Sequence, residues 1–122
     1  MKLKKLPHEL TVCKIPSLSA PDLDADFFFL AKTDREISLV CRTEGAPGNT
    51  TAREDGWRAL RVEGTIDFSL VGILARLTAT LAEHGIPVFA VSTYDTDYIL
   101  VKAEQFGLAA DALEAAGYEI EE

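Results

Sequence analysis

The sequence lacks the features of several protein classes. None of its apolar runs approaches the roughly 18 residues of a membrane-spanning helix, so no membrane crossing is expected. The N-terminal MKLKKLPHEL starts basic but has no apolar stretch typical of a secretory signal. The expected location is therefore the cytoplasm, and the residues around His8 are expected to be frayed.

Cysteine is scarce, with 2 residues and no CxxC spacing. Cys13 and Cys41 both lie in apolar stretches typical of strands, where a thiol behaves as a small hydrophobic group. We expect both to be buried free thiols. A disulfide or a redox role is the less favoured alternative, since no secreted context supports it.

Positive charge is also scarce. The 12 Lys and Arg residues are scattered among 20 Asp and Glu, which gives a net charge of -8. Phosphate binding needs a basic face, so no nucleic acid partner is expected. A cationic or zwitterionic ligand is compatible with this charge.

The sequence contains no pattern that indicates catalysis. It has no nucleophile elbow, no phosphate loop and no HExxH spacing. The DTD stretch at Asp95–Asp97 lacks the regularly spaced further oxygen ligands of a calcium loop. We therefore expect no enzyme activity, no metal and no cofactor.

The second half of the chain follows a clear pattern of elements. A strand from Trp57 precedes a helix over Ser69–His84, in which apolar residues recur at helical spacing. Two strands then surround the DTD turn, and an alanine-rich helix over Ala103–Ala116 precedes a final strand. The order βαββαβ predicts an α+β fold of the ferredoxin-like type, with both helices on one face of the sheet.

The first half repeats part of this pattern. FFLAKTDREISLVCRTE, from Phe28, aligns with VFAVSTYDTDYILVKAE, from Val88. Ser17–Asp26 is too short for a full first helix, and Gly45–Gly56 has room for one short turn where the second helix should be. The sequence therefore predicts tandem units: a degenerate N-terminal unit, 1–56, with truncated helices, and a complete C-terminal unit, 57–122.

A sheet with truncated helices leaves an apolar face to be covered. The complete half could cover that face, or another chain could. Because an open sheet also leaves unpaired edges, we expect self-association, with a homodimer as the simplest form.

One long stretch resembles a known family. VEGTIDFSLVGILARLTATLAEHGIPVFAVSTYDTDYILVK is similar to the bacterial two-ACT-domain proteins related to CASTOR-type arginine sensors, and the TDREISLVC and GWRALRVEG stretches fit the family's first half. The resemblance implies tandem ACT domains, which are regulatory modules that bind amino acids or other small effectors. It also implies a ligand at the loop between the first strand and the first helix, where that loop meets a neighbouring ACT unit.

The first candidate binding element is GTIDFSLVG, over Gly64–Gly72. Asp67 or Ser69 could cap the helix, and the free N–H groups of a helix start suit a carboxylate. Gly72 within the first turn would reduce helix stability by about 1 kcal/mol relative to alanine. Its presence is explained if either a ligand or a packed neighbour approaches the backbone closely there, and the resemblance favours the ligand. The predicted binding residues of this element are Ile66, Asp67, Phe68, Ser69, Leu70 and Gly72.

The second candidate element is the turn between the middle strands. Its hydroxyls and carboxylates could simply stabilise the turn, or they could receive the ammonium or guanidinium of a ligand. The resemblance implies that Asp97 faces the ligand. The copy of this turn in the first half, KTDRE, carries Lys32 and Arg35 and is not expected to be an equivalent site. The predicted binding residues are Ser92, Thr93, Asp95, Thr96 and Asp97.

These observations favour a small-molecule sensor, with an amino acid bound at the interface between ACT units and an unidentified protein partner that carries the output. The alternative is a protein–protein interaction module that binds no ligand and in which the DTD turn is only a turn.

Overall fold

The computed structural model describes residues 1–64 and 72–122. Over these residues the chain forms eight strands and two α-helices. They are β1 (Lys2–Lys5), β2 (Leu10–Lys14), β3 (Phe28–Lys32), β4 (Ile37–Arg42), β5 (Ala52–Val62), α1 (Ile73–Glu83), β6 (Phe89–Ser92), β7 (Asp97–Lys102), α2 (Phe106–Ala115) and β8 (Glu119–Glu121).

The chain divides into two compact units. The first unit is His8–Trp57, and the second unit combines Met1–Pro7 with Arg58–Glu122. Strand β5 contributes Ala52–Trp57 to the first unit and its remaining residues to the second. The predicted domain boundaries, 1–56 and 57–122, stay a prediction about ACT units.

The second unit is built on the strand order β8-β1-β5-β7-β6. Strand β1 pairs antiparallel with β5, with Leu3 opposite Val62, and parallel with β8, with Leu3 opposite Ile120. Leu3 is fully buried. The expectation of a frayed N-terminus was therefore wrong for Lys2–Lys5, because one buried leucine and two neighbouring strands hold this segment in the sheet.

Both α-helices cover one face of this sheet. Helix α1 buries Ile73, Leu77 and Leu81, which recur every four residues, and α2 buries Phe106 and Leu113 among others. These side chains form one cluster with alternate residues of the central strands, so they meet the same sheet face. The strand residues of that cluster are Leu3, Leu60, Val62, Ile99 and Val101.

This arrangement confirms the predicted α+β, ferredoxin-like architecture. The strand and helix limits differ from the prediction at three points. Helix α1 begins at Ile73, with Gly72 as its N-cap, whereas the prediction placed Gly72 within the helix. Strand β5 begins at Ala52 rather than at Trp57, so part of the stretch expected to hold only a turn is strand. Helix α2 is preceded by a short 3₁₀ turn, Ala103–Gln105, which the sequence pattern had assigned to the helix. Over the described residues, no helix is long and apolar enough to span a membrane.

The first unit has the strand order β3-β4-β2-β5 and contains no α-helix among its residues, all of which the structure describes. The predicted truncation of its helices is confirmed. One core cluster of this unit consists of Cys13, Ile15, Leu39 and Cys41 on one sheet face, and Ala20 and Ala46 from the connecting segments pack against it. Leu10 and Val40 of this unit are buried as well.

The two hairpins repeat with an offset of 60 residues. Strand β4 and the 3₁₀ turn Thr43–Gly45 correspond to β7 and Ala103–Gln105, and the two strands share one burial pattern. The backbone where strand meets turn is also the same, with φ -60° and ψ 137° at Arg42 and φ -62° and ψ 141° at Lys102. The internal repeat inferred from the sequence therefore extends to local backbone geometry.

Strand β5 contains a bulge at Gly56, whose φ is 82°. The register against β2 shifts between Leu10 and Val12, and a positive φ at this point requires a residue without a side chain. Beside the bulge, Asp55 accepts a hydrogen bond from the fully buried Thr11 hydroxyl, at 2.6 Å. Thr11 thus has a polar partner inside the first unit.

Candidate functional site

The turn between β6 and β7 is closed by its own threonine. The Thr93 N–H donates to the Thr96 carbonyl at 2.8 Å, and the Thr93 hydroxyl also donates to that carbonyl at 3.1 Å. In return, the Thr96 N–H lies 3.3 Å from the Thr93 hydroxyl oxygen. The Thr93 side chain therefore stabilises the turn.

The corresponding turn of the first unit is built in the same way. The Thr33 N–H donates to the Glu36 carbonyl at 2.9 Å, and the Glu36 N–H lies 3.2 Å from the Thr33 hydroxyl oxygen. A threonine at this position thus has the same role in both units. Both turns carry two carboxylates, Asp34 and Glu36 in the first and Asp95 and Asp97 in the second, but only the first also carries basic residues, Lys32 and Arg35.

Thr96 fastens the second turn to the neighbouring strand. Its hydroxyl donates to the carbonyl of Val62, the last residue of β5, at 2.5 Å. Since β5 leads through residues 63–71 to helix α1, this bond places the turn beside the strand end from which the predicted binding loop departs.

The two carboxylates of the turn differ in their surroundings. Asp95 is exposed, whereas Asp97 is half-buried and opens strand β7, opposite the exposed Ser92. Asp97 has the same strand parity as Ile99 and Val101, so it lies on the sheet face that carries the helices. Within the described part of the chain, neither carboxylate has a hydrogen bond or an ion pair, so both have capacity to accept one.

Gly72 has a different role from the one expected. It is the N-cap of α1, rather than a residue of the first turn, and its backbone is left-handed, with φ 84° and ψ 11°. This conformation explains a glycine here, because side chains disfavour it. Close packing does not explain it, since a Cβ added at Gly72 would meet only Arg76 among the described residues, at 3.9 Å.

Arg76 is a residue that the sequence analysis missed. Its Nε and Nη2 atoms approach the helix start at Gly72, one turn before its own position. The first turn of α1 carries no acidic residue, and its N-cap makes no side-chain hydrogen bond. A guanidinium beside a helix N-terminus creates a positive region that suits an anionic group. The sequence feature that indicated this contact was the i, i+4 spacing of Gly72 and Arg76, which places the two residues one helical turn apart on the same face.

The remaining residues predicted for the first element lie outside the described residues. They are Ile66, Asp67, Phe68, Ser69 and Leu70.

Both cysteines are free and buried, which confirms the sequence-based expectation. They lie on one face of the first unit's sheet, where Cys13 is opposite Leu39 and Cys41 is opposite Thr11. Burial raises the pKa of Cys41 from 9.0 to about 11, and burial also raises the pKa of Cys13. At neutral pH these thiols are protonated and unreactive.

A cavity of about 170 Å³ lies in the first unit. The predicted turn, by contrast, belongs to the second unit. The truncated helices of this unit were predictable from the sequence, but the cavity was not. The lining residues comprise an apolar group, Phe27, Phe28, Leu39 and Cys41, and a charged group, Asp22, Arg42 and Glu44, together with Pro21, Ala25 and Gly45.

No metal centre is evident in the part of the chain that the structure describes, since it contains no group of three or more His, Cys, Asp and Glu side chains placed to hold an ion. The described geometry offers charged and hydrogen-bonding groups for an organic ligand.

The fold defines an α+β module of the ferredoxin-like type, and comparison with known proteins gives its family. The chain belongs to the ACT domain family, whose sequence model matches residues 52–115, more than half of the 122 residues.

Solved structures share this fold over nearly the whole chain. A crystal structure of a protein from Agobacterium tumefaciens is 28% identical, with a TM-score of 0.85, and the match covers 98% of this chain and 90% of that one. A Vibrio cholerae protein is 21% identical, with a TM-score of 0.73 and coverage of 93% and 88%. The regulatory subunit of aspartate kinase from Thermus thermophilus, in a ligand-free form, is 11% identical, with a TM-score of 0.70 and coverage of 96% and 97%. The last two likenesses concern the fold alone.

Proposed function

We propose that this chain is a non-catalytic regulatory protein of the two-ACT-domain type, related to CASTOR-type arginine sensors, whose effector is a free amino acid. ACT domains are regulatory and often bind amino acids, and membership of that family is the first support for the proposal. The second support is the arrangement of charged groups in the second unit.

The observation that carries the proposal is the hydrogen bond from Thr96 to Val62. It fixes the turn beside the strand end that leads to the helix start. Asp97, which follows Thr96 directly, lies on the helix-bearing face and has no partner among the described residues. A carboxylate held in this way suits an ammonium or a guanidinium, and a charge-assisted hydrogen bond to it is stronger than a neutral one.

The helix start supplies the complementary charge. Arg76 and the N-terminal N–H groups of α1 favour a carboxylate. In the proposed site, the α-carboxylate of the amino acid meets this positive region, and a cationic group of the same ligand meets Asp97. Asp95 and Ser92 contribute further acceptors at the exposed side of the turn, while Thr93 and Thr96 hold its shape.

The loop residues predicted from the sequence complete the proposed site: Ile66, Asp67, Phe68, Ser69, Leu70 and Gly72. The location of the ligand at an interface between ACT units stays a prediction.

Regulation would act by population shift. A ligand changes the balance between two conformations only by the difference in its affinity for them. We further propose that the output passes to a protein partner and that the chain forms a homodimer in the cytoplasm. Light scattering coupled to size exclusion tests the dimer, for which we expect twice the 13.3 kDa of one chain.

Thermal shift against the twenty amino acids at millimolar concentration tests the function. We expect a dose-dependent rise in melting temperature for one chemical class, with arginine and lysine as the first candidates, because a ligand that binds only the folded state stabilises it by mass action. Asp97→Asn removes the acceptor charge and should abolish the response. Asp34→Asn, in the corresponding turn of the first unit, is the matched control and should leave it unchanged.

If none of the twenty amino acids raised the melting temperature, that result would contradict the amino acid sensor and favour the interaction module. A response that persists in Asp97→Asn would contradict the assignment of the turn.

A further inference from the structure

We propose that Cys13 and Cys41 together bind one soft monovalent metal ion, Cu(I). This site lies within the first unit and does not depend on the amino acid site proposed in the second unit. Four features of the first unit support it: the spacing of the two thiols, the absence of further ligands beside them, a neighbouring positive charge, and the cavity that reaches Cys41.

The two cysteines are diagonal neighbours on adjacent strands. Cys13 on β2 is opposite Leu39, and Cys41 follows Leu39 by two residues on β4, so both thiols lie on one face of the sheet. A hydrogen bond joins them, in which the Cys41 thiol is the donor and the Cys13 sulfur is the acceptor. The two sulfur atoms are therefore in contact.

This spacing suits a bridging metal ion better than a disulfide. Diagonal neighbours in an antiparallel pair have Cα atoms about 7–8 Å apart, and cysteines more than about 7 Å apart form a disulfide only if the backbone moves. Metal–sulfur bonds are about 2.3 Å long, so an ion between two sulfurs allows them to stay up to about 4.6 Å apart. An ion thus bridges the pair with a smaller rearrangement.

The ligand set selects the kind of ion. Thiolates are soft ligands, which favour Cu(I) and Zn(II). Zn(II) takes four ligands, whereas the described residues place no group of three His, Cys, Asp or Glu side chains around an ion. The carboxylate of Asp55 already accepts hydrogen bonds from Thr11 at 2.6 Å and from Arg53 at 2.8 Å. Two thiolates satisfy Cu(I) in a linear arrangement, so this ion fits the pair.

A guanidinium beside the pair balances the charge of the complex. Two thiolates and one monovalent cation carry one negative charge in total, and a buried charge is unfavourable unless it is paired. Arg53 on β5 is directly opposite Cys13 and therefore on the same sheet face. Burial raises the pKa of both thiols, whereas Arg53 lowers it and Asp55 acts in the opposite direction to Arg53.

The cavity of the first unit leads to the pair. Cys41 lines it together with Phe28 and Leu39, although both thiols are otherwise buried. Binding forms two sulfur–metal bonds and releases the two thiol protons, because the ion itself deprotonates a coordinating thiol. Thiols that are protonated at neutral pH therefore remain ligands for a soft ion, with an affinity that rises with pH.

An anaerobic competition titration with Cu(I) and the coloured chelator bicinchoninate tests the site in the full chain. We expect the chain to retain one ion, with an ultraviolet charge-transfer band from its thiolates and the release of two protons. The elution volume in size exclusion should stay unchanged on binding, because both ligands come from one chain.

Cys13→Ala and Cys41→Ala distinguish one shared site from two independent thiols. In a shared site, each single variant loses the ion as fully as the double variant does. We expect each to bind at least about 100-fold more weakly, since the loss of a group that only supports a metal ligand already costs about 10–100-fold. Alanine suits the apolar core, and the fluorescence of Trp57 in the same unit checks folding.

Arg53→Gln tests the charge balance and should weaken Cu(I) binding about threefold or more. The matched control is Arg35→Gln, which removes an exposed arginine from the turn between β3 and β4 of the same unit and should leave the affinity unchanged.

Complete transfer of Cu(I) from the chain to bicinchoninate would overturn the proposal. So would single cysteine variants that each keep half of the bound ion, or equal affinities of Arg53→Gln and Arg35→Gln. None of these results bears on the response of Asp97→Asn to amino acids, so the two sites are tested separately.

Discussion

The N-terminal strand provides a sharp test of the fold. Leu3 is fully buried in the core of the second unit, opposite Val62 on one side and Ile120 on the other. Truncation of a buried leucine to alanine removes its apolar contacts and leaves a cavity, which typically costs about 2–5 kcal/mol. We therefore expect Leu3→Ala to lower the free energy of unfolding by about 3 kcal/mol.

Urea denaturation measures this loss. With a typical slope of about 1–3 kcal/mol per molar urea, the midpoint should fall by about 1–3 M. Both α-helices belong to the second unit, so circular dichroism at the helical band follows that unit. The single tryptophan, Trp57, belongs to the first unit and gives a separate fluorescence signal.

The matched control is Lys2→Ala on the same strand. The Lys2 side chain is 47% exposed and pairs with Glu121 at 3.7 Å, so its loss should change stability by less than about 0.5 kcal/mol. A loss below about 1 kcal/mol in Leu3→Ala would refute the burial of this strand. So would a shift in the fluorescence transition with no shift in circular dichroism.

Three further predictions concern single positions. Gly72→Ala should destabilise the protein by about 1–2 kcal/mol, because the φ of Gly72 is 84°. Gly107→Ala in α2 should instead stabilise the protein by about 0.5 kcal/mol, because an added methyl group at Gly107 meets nothing within 4 Å. Thr96→Val should cost about 0.5–1.5 kcal/mol in thermal or urea unfolding, since it removes the bond to the strand end. The raised pKa of Cys41, about 11 against 9.0, should slow its labelling by a disulfide reagent at pH 8 by about 100-fold relative to the unfolded chain.

The same thiol determines a pH dependence of stability. The folded state holds the Cys41 proton to a higher pH than the unfolded state does, so unfolding becomes more favourable as the pH rises from 9 to about 11. A Cys41→Ala variant is the control and should lose most of this slope. Labelling of Cys41 as fast as in the unfolded chain would contradict the burial of its thiol. Equal effects of Gly72→Ala and Gly107→Ala on stability would contradict the left-handed backbone at the N-cap Gly72.

The regular elements of the second unit were predictable because their patterns are strong. Leu77 and Leu81 follow the helical period, and the apolar runs on either side of the DTD turn read as strands. The repeat was visible because Thr33 and Thr93 occupy equivalent turns, and the structure gives both threonines the same bonds.

Other features depend on distant partners or on backbone conformation. Strand β1 has only Leu3 as a buried residue, and its partners β5 and β8 lie far along the chain, so the local sequence resembles a basic tail. The role of Gly72 depends on a φ value that helical periodicity cannot give. The missing helices of the first unit could be predicted from segment length, but the cavity is lined by residues far apart in the chain, such as Pro21 and Leu39, whose approach segment length cannot give.

The most direct test of ligand binding is a nitrogen–proton NMR titration of the labelled protein with arginine at millimolar concentration. The proposed function predicts that arginine shifts the amide signals of Ser92–Asp97 and Gly72–Arg76. Amide signals that stay in place on addition of arginine, and of each other amino acid in turn, would contradict the proposal that this ACT protein is an amino acid sensor.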